Sequence, residues 1–273
     1  MMRAALQDQI ELVQYILRII MRMPKLKVTH METQKDLLQP GQGRSLTLDV
    51  WAVDADGTQY NIEIQRDSRG AAGSRARYHG AAIDTAALRA NQKMTELPKT
   101  RIIFITENDC IGDGKLLHRF AMRDIEDGMP LDTGQEILYL NTAYEGDVRA
   151  GDEELAALAH DFRCTDPEKM QLAPLADRMR FLKDTEKGRI EVSSVIEQYA
   201  TQKAEKAAKE AAEKVAEKAA KEATDAERQR AEQRDLQRAC QLFATGKHDV
   251  SELAALFNLD VSVLSQACGL QQA

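Results

Sequence analysis

The sequence lacks a long hydrophobic run, and this absence excludes one broad class of protein. A membrane-spanning helix needs about eighteen or more consecutive apolar residues, and no stretch of the chain reaches that length. The apolar patch at residues 16–21 is short, is interrupted by Arg18 and follows Asp8 and Glu11. We therefore expect neither a membrane span nor a signal peptide.

Residues that form disulfides or zinc sites are few and scattered. None of the cysteines forms a Cys-x-x-Cys pair, so we expect reduced thiols in a cytoplasmic protein. The histidines show no metal-ligand spacing, and the sequence gives no support for a zinc site. The residues concerned are Cys110, Cys164, Cys240 and Cys268, with His30, His79, His118, His160 and His248.

Positive charge is also in short supply. The 37 Lys and Arg residues are outnumbered by 44 Asp and Glu, which gives a formal net charge of −7. Binding to nucleic acid needs Lys and Arg where the phosphates lie. Residues 66–101 do hold eight basic residues against three acidic ones. A solvated helix face and a phosphate-binding surface both explain that local excess.

Strand and helix patterns alternate along the first 200 residues, which predicts an α/β fold with a mixed central sheet flanked by helices. A continuous apolar run at 101–106 is typical of a central strand buried on both faces. The remaining predicted elements are helices at 4–23, 74–91, 152–161, 172–184 and 190–199, strands at 26–33 and 136–141, a turn at 39–43, and a loop with a helix at 111–127.

Residues 45–65 predict a β-hairpin that carries acidic side chains. Asp56-Gly57 is a strong hairpin signal, because Gly adopts a positive φ without steric cost. Residues 60–65 alternate, with Glu63 and Gln65 on one face. In the first strand, the alternation predicts one face of Leu46, Leu48, Val50 and Ala52 and an opposite face of Thr47, Asp49, Trp51 and Val53.

With a loop at residues 55–57, the register of this hairpin places Asp49 directly opposite Glu63. Opposed residues have Cβ atoms about 5 Å apart, and like charges at that distance are unfavourable without a cation between them. Hard divalent ions such as Mg²⁺ prefer this arrangement of oxygens. A half-exposed hairpin that simply carries acids on its solvent face explains the same pattern.

The hairpin resembles the Asp then Glu-x-Lys hairpin of the PD-(D/E)XK nuclease superfamily. More narrowly, Glu63-Ile64-Gln65 resembles the Glu-x-Gln variant of the Rpn family of recombination-promoting nucleases, also called PD-(D/E)XK transposases, and the likeness spans roughly residues 10–199. It implies a restriction-endonuclease-like fold and a metal-dependent DNA endonuclease of low sequence preference, linked to recombination or mobile elements.

The resemblance also implies the parts of a site. Asp49 and Glu63 would bind one or two Mg²⁺ or Mn²⁺ ions, with the Ile64 backbone carbonyl as a further ligand. Gln65 stands where most of the superfamily has Lys, so it can orient a water but brings no charge. Glu11 of the first helix is the candidate for an additional acid, with Glu32 as its competitor. Family members usually carry more residues before that helix, so we expect an incomplete N-terminal part of the site.

Four residues are candidates for contacts with DNA. Arg75 and Tyr78 lie one helical turn apart, and members of the family tend to carry Arg and then Tyr at this spacing after the Glu-x-Gln strand. Arg66 and Arg77 flank them in the basic stretch. An ordinary helix with a surface Arg and a half-buried Tyr fits this pattern equally well.

The chain divides by composition into four predicted parts. Residues 1–146 form the nuclease-like core and 147–200 its helical extension. Residues 201–235 are rich in Ala, Glu and Lys and predict a long exposed helix, for which a semi-rigid spacer is favoured over a coiled coil. Residues 236–273 predict a small helical module that resembles a helix-turn-helix, with Asp249 and Asp260 as helix caps. Packing or self-association into a homo-oligomer explains this module as well as DNA binding does.

Two other functional classes stay open beside the nuclease. A nuclease-like module that binds DNA or a partner protein without cutting is favoured by Gln65 and by the acidic balance. A purely structural protein would use the hairpin acids as solvent-facing groups and the C-terminal helices for assembly.

Overall fold

The computed structural model describes residues 2–37, 46–66 and 68–269, without the side chains of residues 68, 69, 206, 209 and 210. The turn predicted at 39–43 lies outside the described residues. The chain divides into two compact units, Met1–Glu197 and Gln198–Ala273.

The first unit contains a mixed sheet with helices on both faces. Its strands are β1 (Val28–Leu37), β2 (Leu46–Asp54), β3 (Gln59–Gln65), β4 (Thr100–Thr106), β5 (Leu117–Phe120) and β6 (Gln135–Asn141). Its helices are α1 (Met2–Leu6), α2 (Ile10–Met21), α3 (Gly73–Ala87), α4 (Glu153–Arg163), α5 (Ala173–Asp184) and the start of α6 (Glu186–Phe243), with short 3₁₀ turns at Ser68–Ala71, Met94–Glu96 and Pro167–Lys169.

The strand order in this sheet is β1-β2-β3-β4-β6-β5. β3, β4 and β6 are parallel neighbours, and the other pairs are antiparallel. The prediction of a central strand at 101–106 is confirmed, because Ile102, Ile103 and Phe104 of β4 are fully buried. The predicted helix within 111–127 is wrong: the described chain there contains the edge strand β5, which pairs with β6.

Two apolar clusters sandwich the sheet. Alternation along β4 sends Ile103 into one cluster and Phe104 into the other. The first cluster includes Ile16 and Leu17 of α2 and Leu158 of α4, and the second includes Ala76, Ala82 and Ile83 of α3. The second cluster packs α3 over β4. From there, side chains of α3 reach Asn61 and Glu63 of the neighbouring strand β3, and this placement positions the candidate site.

The predicted register of the hairpin is confirmed over its paired residues, since Val50 pairs with Ile62 and Val53 with Gln59. The ladder ends at the pair of Val50 and Ile62, and just beyond it the Asp49 N–H donates to the Glu63 carboxylate. Gly57 has φ +78° in the loop. The predicted face of Leu46, Leu48, Val50 and Ala52 is wrong, because the first two pack in the second cluster and the last two in the first. The alternation of β2 breaks at Asp49, where the ladder with β3 ends.

The second unit consists of helices. α6 runs without a break from Glu186 to Phe243. Residues 190–199 and 201–235 are helical as predicted, and only their separation into two helices is wrong. The sequence between Arg189 and Phe243 contains neither Gly nor Pro, and nothing there stops the helix. Residues 201–235 are largely exposed along it, in agreement with the prediction.

α7 (Val250–Phe257) and α8 (Val261–Ala267) pack on the end of α6. Both predicted caps are confirmed: the Asp249 side chain accepts from the Glu252 N–H, and Asp260 accepts from Ser262 and Val263. Cys240 and Cys268, distant in sequence, meet with their Sγ atoms 3.1 Å apart. Burial and this contact raise the pKa of Cys268 to about 11. Self-association through these helices stays a prediction.

No helix among the described residues is both long enough and apolar enough to cross a membrane.

Candidate active site

The carboxylates of Asp49 and Glu63 meet where β2 and β3 stop pairing as strands. The Asp49 N–H donates to Glu63 Oε1 at 3.1 Å, and the Ile64 N–H donates to Asp49 Oδ2 at 3.0 Å. In a regular antiparallel ladder such N–H groups donate to main-chain carbonyls. The two side chains take the place of those carbonyls, so the backbone itself holds the carboxylates together.

Both acids are buried, which contradicts the alternative of a solvent-facing pair. Asp49 is 9% exposed and Glu63 1% exposed. Burial, and then the negative charge of Asp49, raise the pKa of Glu63 to about 7. The hydrogen bond from Asp49 and the positive charges of Arg75 and Arg3 act in the opposite direction. A buried pair of this kind is stabilised as two anions only when positive charge lies beside it.

Arg3 of α1 supplies such a charge. Its Nη2 atom lies 3.0 Å from Asp49 Oδ2 and donates to the Ile64 carbonyl oxygen at 2.8 Å, while its Nε donates to the same Asp49 oxygen at 3.1 Å. The guanidinium therefore contacts two of the groups that the sequence predicted as metal ligands. Sequence reasoning missed Arg3, because nothing in the local pattern links residues 46 positions apart.

Gln34 of β1 is a second residue that the sequence did not reveal. It has φ +51° inside a strand, a conformation that is uncommon and strained for a residue with a side chain. Its Nε2 lies 3.4 Å from Asp49 Oδ1 and donates to it. The strained backbone thus brings a neutral donor to the oxygen of Asp49 that Arg3 does not contact.

Gln65 and Arg75 converge on the other acid. Gln65 Nε2 donates to Glu63 Oε2 at 3.2 Å, and Arg75 Nη2 reaches the same oxygen at 3.4 Å. The side chain of Arg75 is 41% exposed, so part of the guanidinium faces solvent above the site. Gln65 packs tightly against Gly70, where a Cβ atom would stand 2.5 Å from Gln65 Oε1.

A buried imidazole lies beneath these groups. His79 of α3 is fully buried; its Nε2 lies 3.2 Å from Arg75 Nε and its Nδ1 2.8 Å from the Asn61 side-chain amide. A neutral imidazole has one acceptor nitrogen, and Arg75 Nε can only donate. Nε2 is therefore the acceptor and Nδ1 carries the proton. The Asn61 amide then accepts this proton through its oxygen, since an amide N–H cannot accept. Glu63 Oε1 lies 3.6 Å from the same ring nitrogen.

The remaining predicted site residues lie farther out. Arg66 is largely exposed, 3.6 Å from Glu107 Oε2; Arg77 is exposed, and Tyr78 packs half-buried against the second cluster. Glu11 is exposed on α2, and Glu32 accepts from Lys35 and contacts His30. The structure does not bring either glutamate to the Asp49–Glu63 pair in the described contacts, and their roles as metal ligands stay predictions.

The donors at the centre of the site fit a hard divalent cation. They are all oxygens: two carboxylates and the Ile64 carbonyl, whose oxygen faces the Arg3 guanidinium and not a neighbouring strand. Mg²⁺ and Mn²⁺ prefer carboxylate and carbonyl oxygens. The Arg3 guanidinium already contacts two of these three groups, the Asp49 carboxylate and the Ile64 carbonyl. This contact indicates that the position favours a cation.

Asp109, Asp113 and His118 form a separate group whose ligand atoms lie within 4.8 Å of one another. Asp109 accepts the N–H groups of Ile111, Gly112 and Gly114, and its carboxylate thereby holds this loop together. Asp113 lies 2.9 Å from Lys115 Nζ and 2.7 Å from His118 Nε2. The carboxylates of this group are thus engaged by the loop itself.

The comparisons with known proteins identify the family of the chain. A family model described as PD-(D/E)XK nuclease family transposase matches residues 7–242. No curated protein and no solved structure matches the chain. The matched range contains the hairpin, α3 and all strands of the described sheet, and the fold is the restriction-endonuclease-like α/β fold that the sequence predicted.

Proposed function

Because the chain belongs to the PD-(D/E)XK nuclease family of transposases, we propose that it is a metal-dependent DNA endonuclease that hydrolyses phosphodiester bonds during recombination or the movement of mobile elements. The observation that carries this proposal is the buried pair of Asp49 and Glu63 with the Ile64 carbonyl beside it. A metal-dependent nuclease needs negative oxygens held close together in this way, and their burial carries a desolvation cost that a bound cation offsets.

Asp49, Glu63 and the Ile64 carbonyl oxygen would hold Mg²⁺ or Mn²⁺. The bound ion supplies two effects: it makes a water more acidic, and it neutralises charge that develops on the phosphate. The chain contributes the fixed geometry, because the strand N–H groups of Asp49 and Ile64 orient both carboxylates before any ion arrives.

Gln65 and Arg75 have distinct parts in this proposal. Gln65 donates to Glu63 and keeps its carboxylate in place, and its amide can also orient the attacking water. The exposed side of the Arg75 guanidinium is available to a phosphate oxygen, for which Arg is well suited. Arg66, Arg77 and Tyr78 extend the contact with the DNA backbone.

Cleavage of supercoiled DNA with Mg²⁺ or Mn²⁺ tests the proposal. Asp49→Asn and Glu63→Gln keep the shape of each side chain and remove its charge, so we expect the rate of nicking to fall about 100-fold or more. Glu168→Gln is the matched control, because its carboxylate pairs with Arg180 on the surface, away from the hairpin. If nicking is unchanged by both site substitutions, the nuclease centre does not lie at Asp49 and Glu63.

A second candidate is a nuclease-like module that binds DNA without cutting it. Two observations favour it: Gln65 brings no positive charge, and Arg3 occupies oxygens that the metal would use. Wild-type protein that retards DNA on a gel, but leaves supercoiled DNA intact with either metal, would support this function over the first.

A further inference from the structure

We propose that Arg3 is the resident cation of the site: it neutralises Asp49 in the metal-free protein, and its guanidinium must leave before a divalent ion can bind Asp49 and the Ile64 carbonyl. This inference rests on the proposed metal site. It adds a residue to that site and connects metal binding to the helices of the first unit.

The overlap between the two cations follows from the distances. Arg3 Nη2 lies 3.0 Å from Asp49 Oδ2 and 2.8 Å from the Ile64 carbonyl oxygen. A Mg²⁺ ion binds oxygen at about 2.1 Å and would need the same two oxygens. A guanidinium nitrogen and a divalent ion cannot both stand there, since two positive charges would share one small space. Metal and Arg3 therefore compete.

The place of Arg3 is fixed by the way α1 docks on α5. Ala4 and Ala5 are buried, and they pack with Met179 and Leu182 of α5. Arg178 of α5 donates through Nε to the Ala5 carbonyl at 3.2 Å and through Nη2 to the Ala4 carbonyl at 3.3 Å. Carbonyl groups in the last turn of a helix have no partner within the helix, so Arg178 completes the end of α1.

Arg178 continues this connection to the next helix, because it also forms an ion pair with Glu191 of α6. A chain of direct contacts thus runs from α6 through α5 and α1 to Asp49. All of these residues lie in the first unit. Any change that loosens α1 on α5 frees Arg3 to leave the carboxylate, and the helical extension therefore sets the affinity of the site for metal.

Calorimetric titration of the full chain with Mn²⁺ tests the inference directly. We expect Arg3→Gln to bind Mn²⁺ about tenfold more tightly than wild type, as removal of one charged hydrogen-bonding competitor implies. Arg3→Lys keeps the charge without the forked donors and should lie between the two. Arg178→Gln should also bind more tightly, by a smaller factor. Arg22→Gln is the matched control, because Arg22 pairs with Asp152 on the surface, and its affinity should equal that of wild type.

The results separate this inference from the proposed function. One result would overturn the role of Arg3 and leave the metal site intact. In that case wild type and Arg3→Gln bind Mn²⁺ with equal affinity, and adding Asp49→Asn abolishes binding in both. No binding by either protein would overturn both. A second readout needs no variant: hydrogen exchange of the amides in α1 should become faster when wild type is saturated with Mn²⁺, and unchanged or slower exchange would contradict displacement of Arg3.

Discussion

The main-chain N–H of Asp49 donates to the side chain of Glu63 at 3.1 Å, and this bond joins the two acids of the site through the backbone. The reciprocal bond from Ile64 N–H to Asp49 makes the arrangement a closed pair. Charge repulsion between the carboxylates is therefore opposed by the sheet itself. The two carboxylates are thus held close together in a place that favours positive charge.

The metal-free protein should lose stability as the pH rises from about 4.5 to about 7. Burial raises the pKa of Glu63 from its ordinary 4.5 to about 7, so the folded chain binds more protons than the unfolded chain between these values. The effect is on the order of 3 kcal/mol at most. Urea unfolding in EDTA at pH 5 and pH 8 measures it, and Glu63→Gln should show a smaller difference between the two pH values than wild type. An identical difference in both proteins would mean that Glu63 titrates normally.

Gln65→Lys should increase the rate of DNA cleavage, about tenfold. A lysine at this position places positive charge near Glu63 Oε2, where Gln65 Nε2 now donates, and an adjacent positive charge favours the ionised carboxylate. The pH at which cleavage reaches half its maximum should shift downward as well. Gln65→Leu is the matched variant of similar size without polar atoms, and it should cleave more slowly than wild type. If Gln65→Lys cleaves DNA no faster than Gln65→Leu, a positive charge at position 65 does not contribute to the rate of cleavage.

Gly70→Ala should impair cleavage while the fold persists. The added Cβ would stand 2.5 Å from Gln65 Oε1, so the amide must move away from its place beside Glu63. We expect a loss of about tenfold in kcat with little change in thermal stability. Gly73→Ala is the control, since its Cβ meets nothing within 4 Å. The idea fails if both alanine variants cleave equally well.

His79 should be neutral with its proton on Nδ1. Arg75 Nε donates to Nε2 at 3.2 Å, which leaves Nδ1 as the only protonated nitrogen. Nitrogen NMR of the imidazole rings at pH 7.5 distinguishes the two tautomers. A proton found on Nε2 would contradict the arrangement of Arg75 derived from the structure.

Replacing His79 with Leu should then reduce cleavage by releasing Arg75 from its place over Glu63. Arg75 Nη2 lies 3.4 Å from Glu63 Oε2, and without the imidazole acceptor its guanidinium gains rotational freedom. We expect a larger effect on KM for DNA than on thermal stability if Arg75 binds phosphate. Arg75→Gln should have a smaller effect in the Leu variant than in wild type, because both changes disturb the same guanidinium and their effects are then not additive.

The sequence by itself determined the hairpin and its register. A side-chain period of two, with Asp56-Gly57 at the turn, predicts the pairing that the structure has from Val50–Ile62 to Val53–Gln59, and Asp49 and Glu63 follow directly after its end. The buried strand β4 and the caps at Asp249 and Asp260 were predictable for the same reason: each depends on residues close together in the chain. The local motif also carried the resemblance to PD-(D/E)XK transposases, a family that the match confirms; the narrower Glu-x-Gln variant stays a prediction.

Only the tertiary structure decided what surrounds the acids. The break in alternation at Asp49, the approach of Arg3 and the burial of His79 against Asn61 depend on contacts between residues far apart in sequence. Such contacts form when helices dock on the sheet, and periodicity does not specify which side chain reaches which site. The edge strand β5 is similar, since its pairing with β6 and not its own sequence made it a strand. Local pattern thus determined where the carboxylates lie, and packing determined their burial, their charge balance and the cation beside them.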